Sequence, residues 1–240
     1  MTVGSILGEA VGVYRLLLRR SVTTAAGVYA VIALLDLAAD LPASRGARFF
    51  VGVVAVALQW SGPVLVQGAL VQIVRNVHVG VRPEHIGSLL ERGRERFWSL
   101  LWASVVYGFG VVFGLILLVV PGLIVAARWS LMAPLIMLED EDAGTARGRS
   151  WLLVAGETGP VLGAITTTFL LSEIPGLVSG FGFVFAFGSV GDTLVTFVWS
   201  SLTAPLVAHV LTVVYYRLVE PERPVIHESV AGWQSVWEGG

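Results

Sequence analysis

The chain has neither cysteine nor lysine, and only 13% of its 240 residues are charged. The absence of cysteine excludes disulfides, thiolate metal sites, catalytic thiols and S-acyl anchors. So few charges cannot give a water-facing surface to a protein in which 55% of the residues are apolar and the mean hydropathy is +0.81. The composition therefore indicates that a lipid bilayer is the solvent for most of the molecule.

The apolar residues lie in runs that are each long enough for a bilayer crossing of ~20 residues. We predict an all-α polytopic membrane helix bundle with six transmembrane helices, in which residues 1–218 form the membrane domain and 219–240 a polar cytoplasmic tail. Pro121-Gly122 is the predicted bend between the third and fourth crossings, and Glu9 argues against a removable signal peptide. The crossings are 21–39, 49–74, two within 97–138, 158–178 and 193–216.

The arginines are sorted by the gaps between these runs. Twelve of the 15 fall in gaps on one side, and only Arg45 and Arg48 fall in the opposite gaps. Basic loops stay in the cytoplasm, so both termini are predicted to be cytoplasmic. Arginine in place of lysine, with abundant alanine, glycine and valine, is typical of a GC-rich bacterial genome. We therefore expect a multi-pass protein of the bacterial cytoplasmic (inner) membrane.

The basic gaps contain amphipathic stretches at 5–20, 84–97 and 143–154, each of which leads directly into a crossing. Such helices lie in the headgroup plane with arginines on anionic lipid phosphates, and the alternative is a soluble surface helix. An amphipathic elbow followed by two crossings would then occur three times. In a gapless alignment of the first and third copies, Tyr14 matches Trp151 and Asp36 matches Glu173. A threefold elbow-hairpin repeat is therefore expected.

One stretch resembles a known family. From residue 121 to 156 the chain has Pro121-Gly122, Arg128-Trp129, Ala133-Pro134, Glu139, Ala146, Arg149-Ser150-Trp151 and Gly156. This pattern resembles the bacterial glycerophosphoryl diester phosphodiesterase membrane domain family. Further similarities are the opening stretch 6–20, Gly68-Ala69 before Arg75, and Val214-Tyr215-Tyr216-Arg217. The resemblance implies a membrane module of the kind that precedes a catalytic phosphodiesterase domain in some relatives.

The catalytic domain itself is not expected here, because none of His78, His85, His209 and His227 is followed by Arg-Gly. We therefore expect an integral membrane protein without its own catalytic site, an accessory or regulatory module in envelope lipid or glycerophosphodiester metabolism. The alternative is a small transporter or lipid-handling protein, and an intramembrane enzyme ranks below both. No cofactor, metal or nucleic acid is expected. A protein partner or a homo-oligomer is left open.

Local polar features have structural and functional interpretations. The acidic run 139–142 precedes a predicted helix, which favours capping over a calcium or magnesium site. Gln59, Gln67 and Gln72 indicate hydrogen bonds between helices. Gly110 and Gly114 permit close helix contact within the monomer or in a dimer. Phenylalanines alternate from 181 to 187, which predicts a short extended segment with an aromatic belt.

Four ionisable residues are predicted to lie inside the bilayer: Arg128, Glu173, Asp36 and His209. Such residues face the bundle interior and find partners. We predict that Arg128 pairs with Glu173, with Asp36 as the second choice, either to fix packing or to line a polar path. His209 is expected to bond a neighbouring helix, and a proton relay is the alternative.

Overall fold

A computed structural model of the chain describes residues 1–39, 44–80, 86–221 and 225. Its regular secondary structure is helical, with no strand among the described residues, so the all-α prediction is confirmed. The helices in chain order are α1 (Val3–Ala39), α2 (Arg45–Val79), α3 (Ile86–Glu95), α4 (Phe97–Leu117), α5 (Val119–Arg128), α6 (Met132–Leu138), α7 (Ala143–Leu153) and α8 (Thr158–Val219).

Several stretches of the described chain are long and apolar enough to cross a membrane. Five qualify on their own: 3–38, 49–79, 97–117, 119–138 and 190–219. A sixth is obtained if Ala143–Leu153 and Thr158–Ile174, which are bent by 113°, are taken together as one span. The fifth predicted crossing does begin a helix at Thr158, directly after this bend.

We call one end of the bundle the arginine end. The start of α1 meets the ends of α2 and α8 there. Arg217 donates from Nε to Glu9 at 2.6 Å, and His78 lies 3.2 Å from Glu220. The backbone N–H of Val225 also donates to Glu9, at 2.7 Å, so this part of the tail returns to α1. The start of α1 and the end of α8 therefore lie on the same side of the molecule.

The first predicted elbow is wrong. Residues 5–20 and the crossing that follows form one continuous helix of 37 residues, about 55 Å at ~1.5 Å per residue. Ala10, Val13 and Leu17 are buried on one face of this helix, which packs along α8. Neither proline nor a turn interrupts α1, so its amphipathic part continues straight. The second elbow, α3, is separated from α4 at Arg96, and the third, α7, is bent from α8.

The turn between α4 and α5 lies at Leu118 rather than at Pro121-Gly122. Leu118 is extended, and Pro121 stands in the first turn of α5, where its missing N–H costs nothing. Glycines hold this hairpin together: a Cβ on Gly114 would lie 2.7 Å from the Cα of Gly122, and one on Gly110 would lie 2.1 Å from the Trp129 ring. Gly110 and Gly114 are therefore used for packing within the monomer.

Helix α8 folds back on itself at Gly188, whose φ of 64° and ψ of −148° are not helical. We call residues 158–187 its first arm and 189–219 its second arm. Trp199 of the second arm donates its indole N–H to the backbone carbonyl of Ser172 in the first. The extended segment predicted at 180–188 is wrong, because the backbone there is helical up to Gly188. The phenylalanine side chains lie outside the described residues.

Candidate functional site

The structure does not bring the four predicted intramembrane residues together. Arg128 ends α5, where its Nε donates to the Thr158 hydroxyl at 3.3 Å and its guanidinium lies 4.6 Å from the centre of the Trp151 ring. It forms no ion pair with Glu173 or with Asp36, so the predicted pairing is wrong. The arginine instead joins the end of α5 to α7 and to the start of α8.

His209 is fully buried on the second arm of α8 and bonds a neighbouring helix, as predicted. Its Nε2 lies 3.2 Å from the Ser21 hydroxyl of α1, and the Tyr14 ring meets it edge-on at 6.0 Å. Its Nδ1 has no hydrogen-bond partner. A serine beside a histidine could suggest nucleophilic catalysis, but that chemistry requires a group that orients the histidine and a path for substrate. Both side chains have zero exposure, and neither lines the two cavities described below.

Asp36 lies near the end of α1, at the opposite end of the bundle from the arginine end. It accepts a hydrogen bond from Gln59 of α2 at 2.9 Å, which confirms the interhelical role predicted for that glutamine. Both residues line a cavity of about 400 Å³ between α1, α2 and the second arm of α8, together with Asp192 and Tyr29. Nothing in the sequence spacing brings Asp192 to Asp36, because the two residues belong to helices at opposite ends of the chain.

Glu173 lines a different cavity, of about 270 Å³, which we call the side cavity. Its walls come from α4, from the α5–α6 region, from both arms of α8 and from Gln67 of α2. Helix α4 itself packs chiefly on α5. The exposed wall residues mark the mouth: Phe169, with 59% of its surface exposed, Glu173 and Ser104. The wall residues are Gln67, Leu100, Ala103, Ser104, Tyr107, Trp129, Ser130, Met132, Ala133, Ile165, Thr168, Phe169, Ser172, Glu173, Val207, Val210 and Leu211.

One wall of the side cavity is a break in a helix. Between α5 and α6, residues 129–131 leave the helical path, and the Ser150 hydroxyl of α7 bridges the gap. It donates to the carbonyl of Arg128 at 2.6 Å and accepts from the N–H of Leu131 at 3.2 Å. Irregular backbone within a membrane-spanning stretch is tolerated where it is buried in protein or lines a cavity. Ser130 and Leu131 are buried, and Trp129 and Ser130 line the cavity.

The polar groups of this wall that are fixed by hydrogen bonds face the cavity as acceptors. Thr168 donates its proton to the carbonyl of Ala164 at 2.8 Å, and Tyr107 donates to that of Ala126 at 3.2 Å. A hydroxyl whose proton is used within the helices offers only lone pairs to a ligand. None of the described residues that line the cavity is basic.

The acidic run caps a helix, as predicted. The Asp142 carboxylate accepts from the backbone N–H of Gly144 at 2.8 Å and of Thr145 at 3.1 Å, at the start of α7. The bonds to Thr145, followed by the one to Gly144, lower the pKa of Asp142. Within the described part of the chain, no three histidine, aspartate or glutamate side chains are grouped so that they could hold a metal ion.

The other acids of this run form ion pairs that the sequence did not reveal. Glu139 and Glu141 both contact Arg149, the latter at 2.9 Å, and Asp140 pairs with Arg96 at 2.6 Å. Asp140 adopts a φ of 58°, a left-handed conformation that aspartate tolerates better than most residues. The run thus ties the loop before α7 to the start of α4. No protein-family model, curated protein or solved structure matches the chain.

Proposed function

We propose that this chain is a lipid-handling protein without a catalytic site of its own, which holds an amphiphile from the bilayer in the side cavity. One observation carries the proposal: the mouth of the cavity opens among exposed apolar side chains, which we infer to face lipid. Beside Phe169 at the mouth, Leu170 is 47% exposed and Leu171 58% exposed. A bundle this apolar can expose such residues only to hydrocarbon. A ligand would therefore enter sideways from the membrane.

The threading that we propose has six crossings with the arginine end in the cytoplasm of a bacterial cell. The sorting of arginines supports it. The length of α1 supports it too, because about 55 Å exceeds the ~30 Å hydrocarbon core and leaves part of the helix in headgroups or water. A reporter fused after Arg223 should then be cytoplasmic, and one inserted at 42–44 should be outside. The opposite result at both sites would overturn this threading.

We propose that the chain has no catalytic role because Ser21 and His209, the pair that most resembles a catalytic site, are inaccessible. The hydrogen bond between Ser21 and His209 is sealed inside the packed helices, and no described acidic residue bonds the free ring nitrogen. Both residues lie away from the side cavity: Val207 and Val210, on either side of His209, face it, whereas His209 faces α1. Substrate cannot reach this serine without opening the bundle.

The test of lipid binding fills the cavity. Ala103 is 4% exposed and lines the wall, so Ala103→Trp should displace a bound chain, whereas Ala57→Trp on the exposed face of α2 is the matched control. A photoactivatable twelve-carbon alcohol should crosslink to wall residues in the original protein and the control, and fail to do so in Ala103→Trp. Equal crosslinking in all three proteins would contradict the proposal.

An accessory role in envelope lipid metabolism is compatible with this binding and is proposed beside it. The residues 121–156 that carry the resemblance include Trp129, Ser130 and Ala133 of the cavity wall, which is the observation that favours it. Cells that lack the protein should show an altered envelope glycerophospholipid composition. The original gene should restore that composition, and the Ala103→Trp gene should not. If the variant gene also restores the lipid composition, the cellular role does not depend on the side cavity.

A further inference from the structure

The side cavity contains a buried hydroxyl that nothing in the protein uses. Ser172, on the first arm of α8, is 2% exposed, and its Oγ has no hydrogen-bond partner. Thr168, one turn earlier on the same helix, bonds back to a carbonyl in the usual way. Leaving a buried hydroxyl unsatisfied is unfavourable, and native proteins rarely do so without a reason. Because Ser172 lines the cavity, a ligand group can reach it.

Glu173 follows Ser172 in the chain and stands at the mouth of the same cavity. An ionised carboxylate can only accept hydrogen bonds, and it attracts cations. Ser172, whose hydroxyl is free to accept or to donate, and Glu173, whose carboxylate accepts, are together suited to a ligand group that donates hydrogen bonds.

The same wall disfavours phosphate. Proteins bind phosphate with arginine, lysine or exposed helix N–H groups, and no described wall residue is basic. Arg128, on α5 just before the wall residue Trp129, is directed to Thr158 and Trp151 instead. A phosphate in the cavity would lie close to the Glu173 carboxylate without a compensating charge.

We propose that the amphiphile in the side cavity has a single hydrocarbon chain and a head group that donates hydrogen bonds and carries no phosphate, either a hydroxyl or an amine. This inference rests on the proposed function. Ser172 and Glu173 receive the head, and the apolar wall receives the chain. A volume of about 270 Å³ lies just below the ~300–1,000 Å³ of typical small-molecule sites, which suits one chain rather than two.

The experiment compares three competitors that differ only in the head: dodecanol, dodecylamine and dodecyl phosphate. Each competes with the photoactivatable alcohol for crosslinking to the purified full-length protein in a neutral detergent. We expect the alcohol and the amine to compete at concentrations at least about tenfold lower than the phosphate. A phosphate that competes equally well or better would overturn the inference.

Two variants test the named residues. Ser172→Ala should weaken competition by dodecanol by about three- to tenfold, the effect of one hydrogen bond, and Ser99→Ala on α4 is the control. Glu173→Gln should weaken dodecylamine selectively and reduce the discrimination against dodecyl phosphate, and Glu95→Gln on the exposed face of α3 is its control. If both variants retain the original order and strength of competition, these residues do not receive the head.

The outcomes separate this inference from the proposal on which it depends. If Ala103→Trp abolishes crosslinking while the three heads compete equally, the cavity binds chains without selecting heads, and only the inference fails. If Ala103→Trp leaves crosslinking unchanged, the ligand is elsewhere and the proposed function fails as well. Circular dichroism of each variant, compared with the original protein, shows whether the helices are retained.

Discussion

The two ends of the bundle are built differently. At the arginine end, α2 is buried on nearly all sides from Ala69 to His78, and the second arm of α8 is buried from 208 to 216. At the opposite end, the same two helices expose Phe50, Val56 and Trp60, and Val190 and Leu194. Three short helices, α3, α6 and α7, are added around the arginine end only. The arginine end thus resembles the core of a water-soluble protein. The opposite end, which we call the lipid-facing end, consists of hairpins whose exposed apolar side chains require lipid to cover them.

The difference shows that an apolar residue of this chain is not necessarily a buried one. Apolar residues at the lipid-facing end gain little from packing together, because hydrocarbon solvates them as well as a neighbour does. In the threading proposed above, the arginine end lies among headgroups and water, where the hydrophobic effect favours a close-packed core. Ion pairs follow the same division, because the pair of Glu9 with Arg217 and the network around Arg149 lie at the arginine end.

The largest expected effect is a contrast between two leucines. Leu70, with no exposed surface, lies at the arginine end, and Leu34, 66% exposed, lies at the lipid-facing end. Leu70→Ala should lower the free energy of unfolding by ~2–5 kcal/mol, whereas Leu34→Ala should change it by less than ~0.5 kcal/mol. Unfolding in mixed micelles with increasing dodecyl sulfate measures both. Equal losses would mean that the two ends do not differ in packing.

The next effect concerns the helix break beside the side cavity. Ser150→Ala removes both hydrogen bonds across residues 129–131 and leaves the carbonyl of Arg128 and the N–H of Leu131 unsatisfied. We expect a loss of ~1–3 kcal/mol in the free energy of unfolding. Ser99→Ala, for which the structure records no hydrogen bond, is the control and should be near neutral. A loss no larger than that of the control would show that water or another group serves the break.

A smaller effect is expected for the polar pair of the lipid-facing end. Double replacement of Asp36 by Asn and Gln59 by Leu, compared with each single change, gives the coupling between the two side chains. Hydrogen bonds within membrane helices average ~0.6 kcal/mol in such cycles, and we expect a value of that size. Simple additivity would indicate that the bond, at 2.9 Å in the structure, does not persist in the membrane.

The smallest effect is that of pH on the cap of α7. Hydrogen bonds lower the pKa of Asp142 in the folded protein, so its stabilising contribution is present above the pKa of the unfolded chain, 3.8. That contribution is lost as the pH falls through the lower folded pKa. Amide exchange at Gly144 and Thr145 should therefore accelerate only at strongly acidic pH, after correction for its intrinsic pH dependence. Asp142→Asn should lack this transition, and a transition that survives the substitution belongs to another group.

The sequence predicted those features that depend on local pattern. The apolar runs, the cap at Asp142 and the start of a helix at Thr158 all follow from residues close together in the chain. The sequence did not predict that α1 is one continuous helix, because an amphipathic stretch has the same periodicity whether it lies on a membrane or packs on another helix. The side cavity was missed for a related reason: its walls come from residues more than a hundred positions apart, such as Ala103 and Val207.

The same limit applies to the candidate residues. Depth along a helix, estimated from residue counts, placed Arg128 near Glu173 but could not give the direction in which either side chain points. Counting from Pro121-Gly122 also misplaced the turn, which lies at Leu118. Nothing in the sequence marked Ser150 beyond its place in the Arg149-Ser150-Trp151 stretch. Its hydroxyl nevertheless forms both hydrogen bonds that bridge the helix break.

That hydroxyl gives the molecule a mechanical linkage. α7 begins in the acidic loop at the arginine end, and Ser150 near its other end holds the backbone on both sides of Trp129 and Ser130, which line the side cavity. A displacement of α7 by anything that binds the charged loop must therefore move the cavity wall or break these two bonds. Because such coupling is reciprocal, a ligand that reshapes the wall must in turn change the affinity of the loop for whatever binds it. A single side chain thus makes the interior of the bundle and its charged surface thermodynamically dependent on each other.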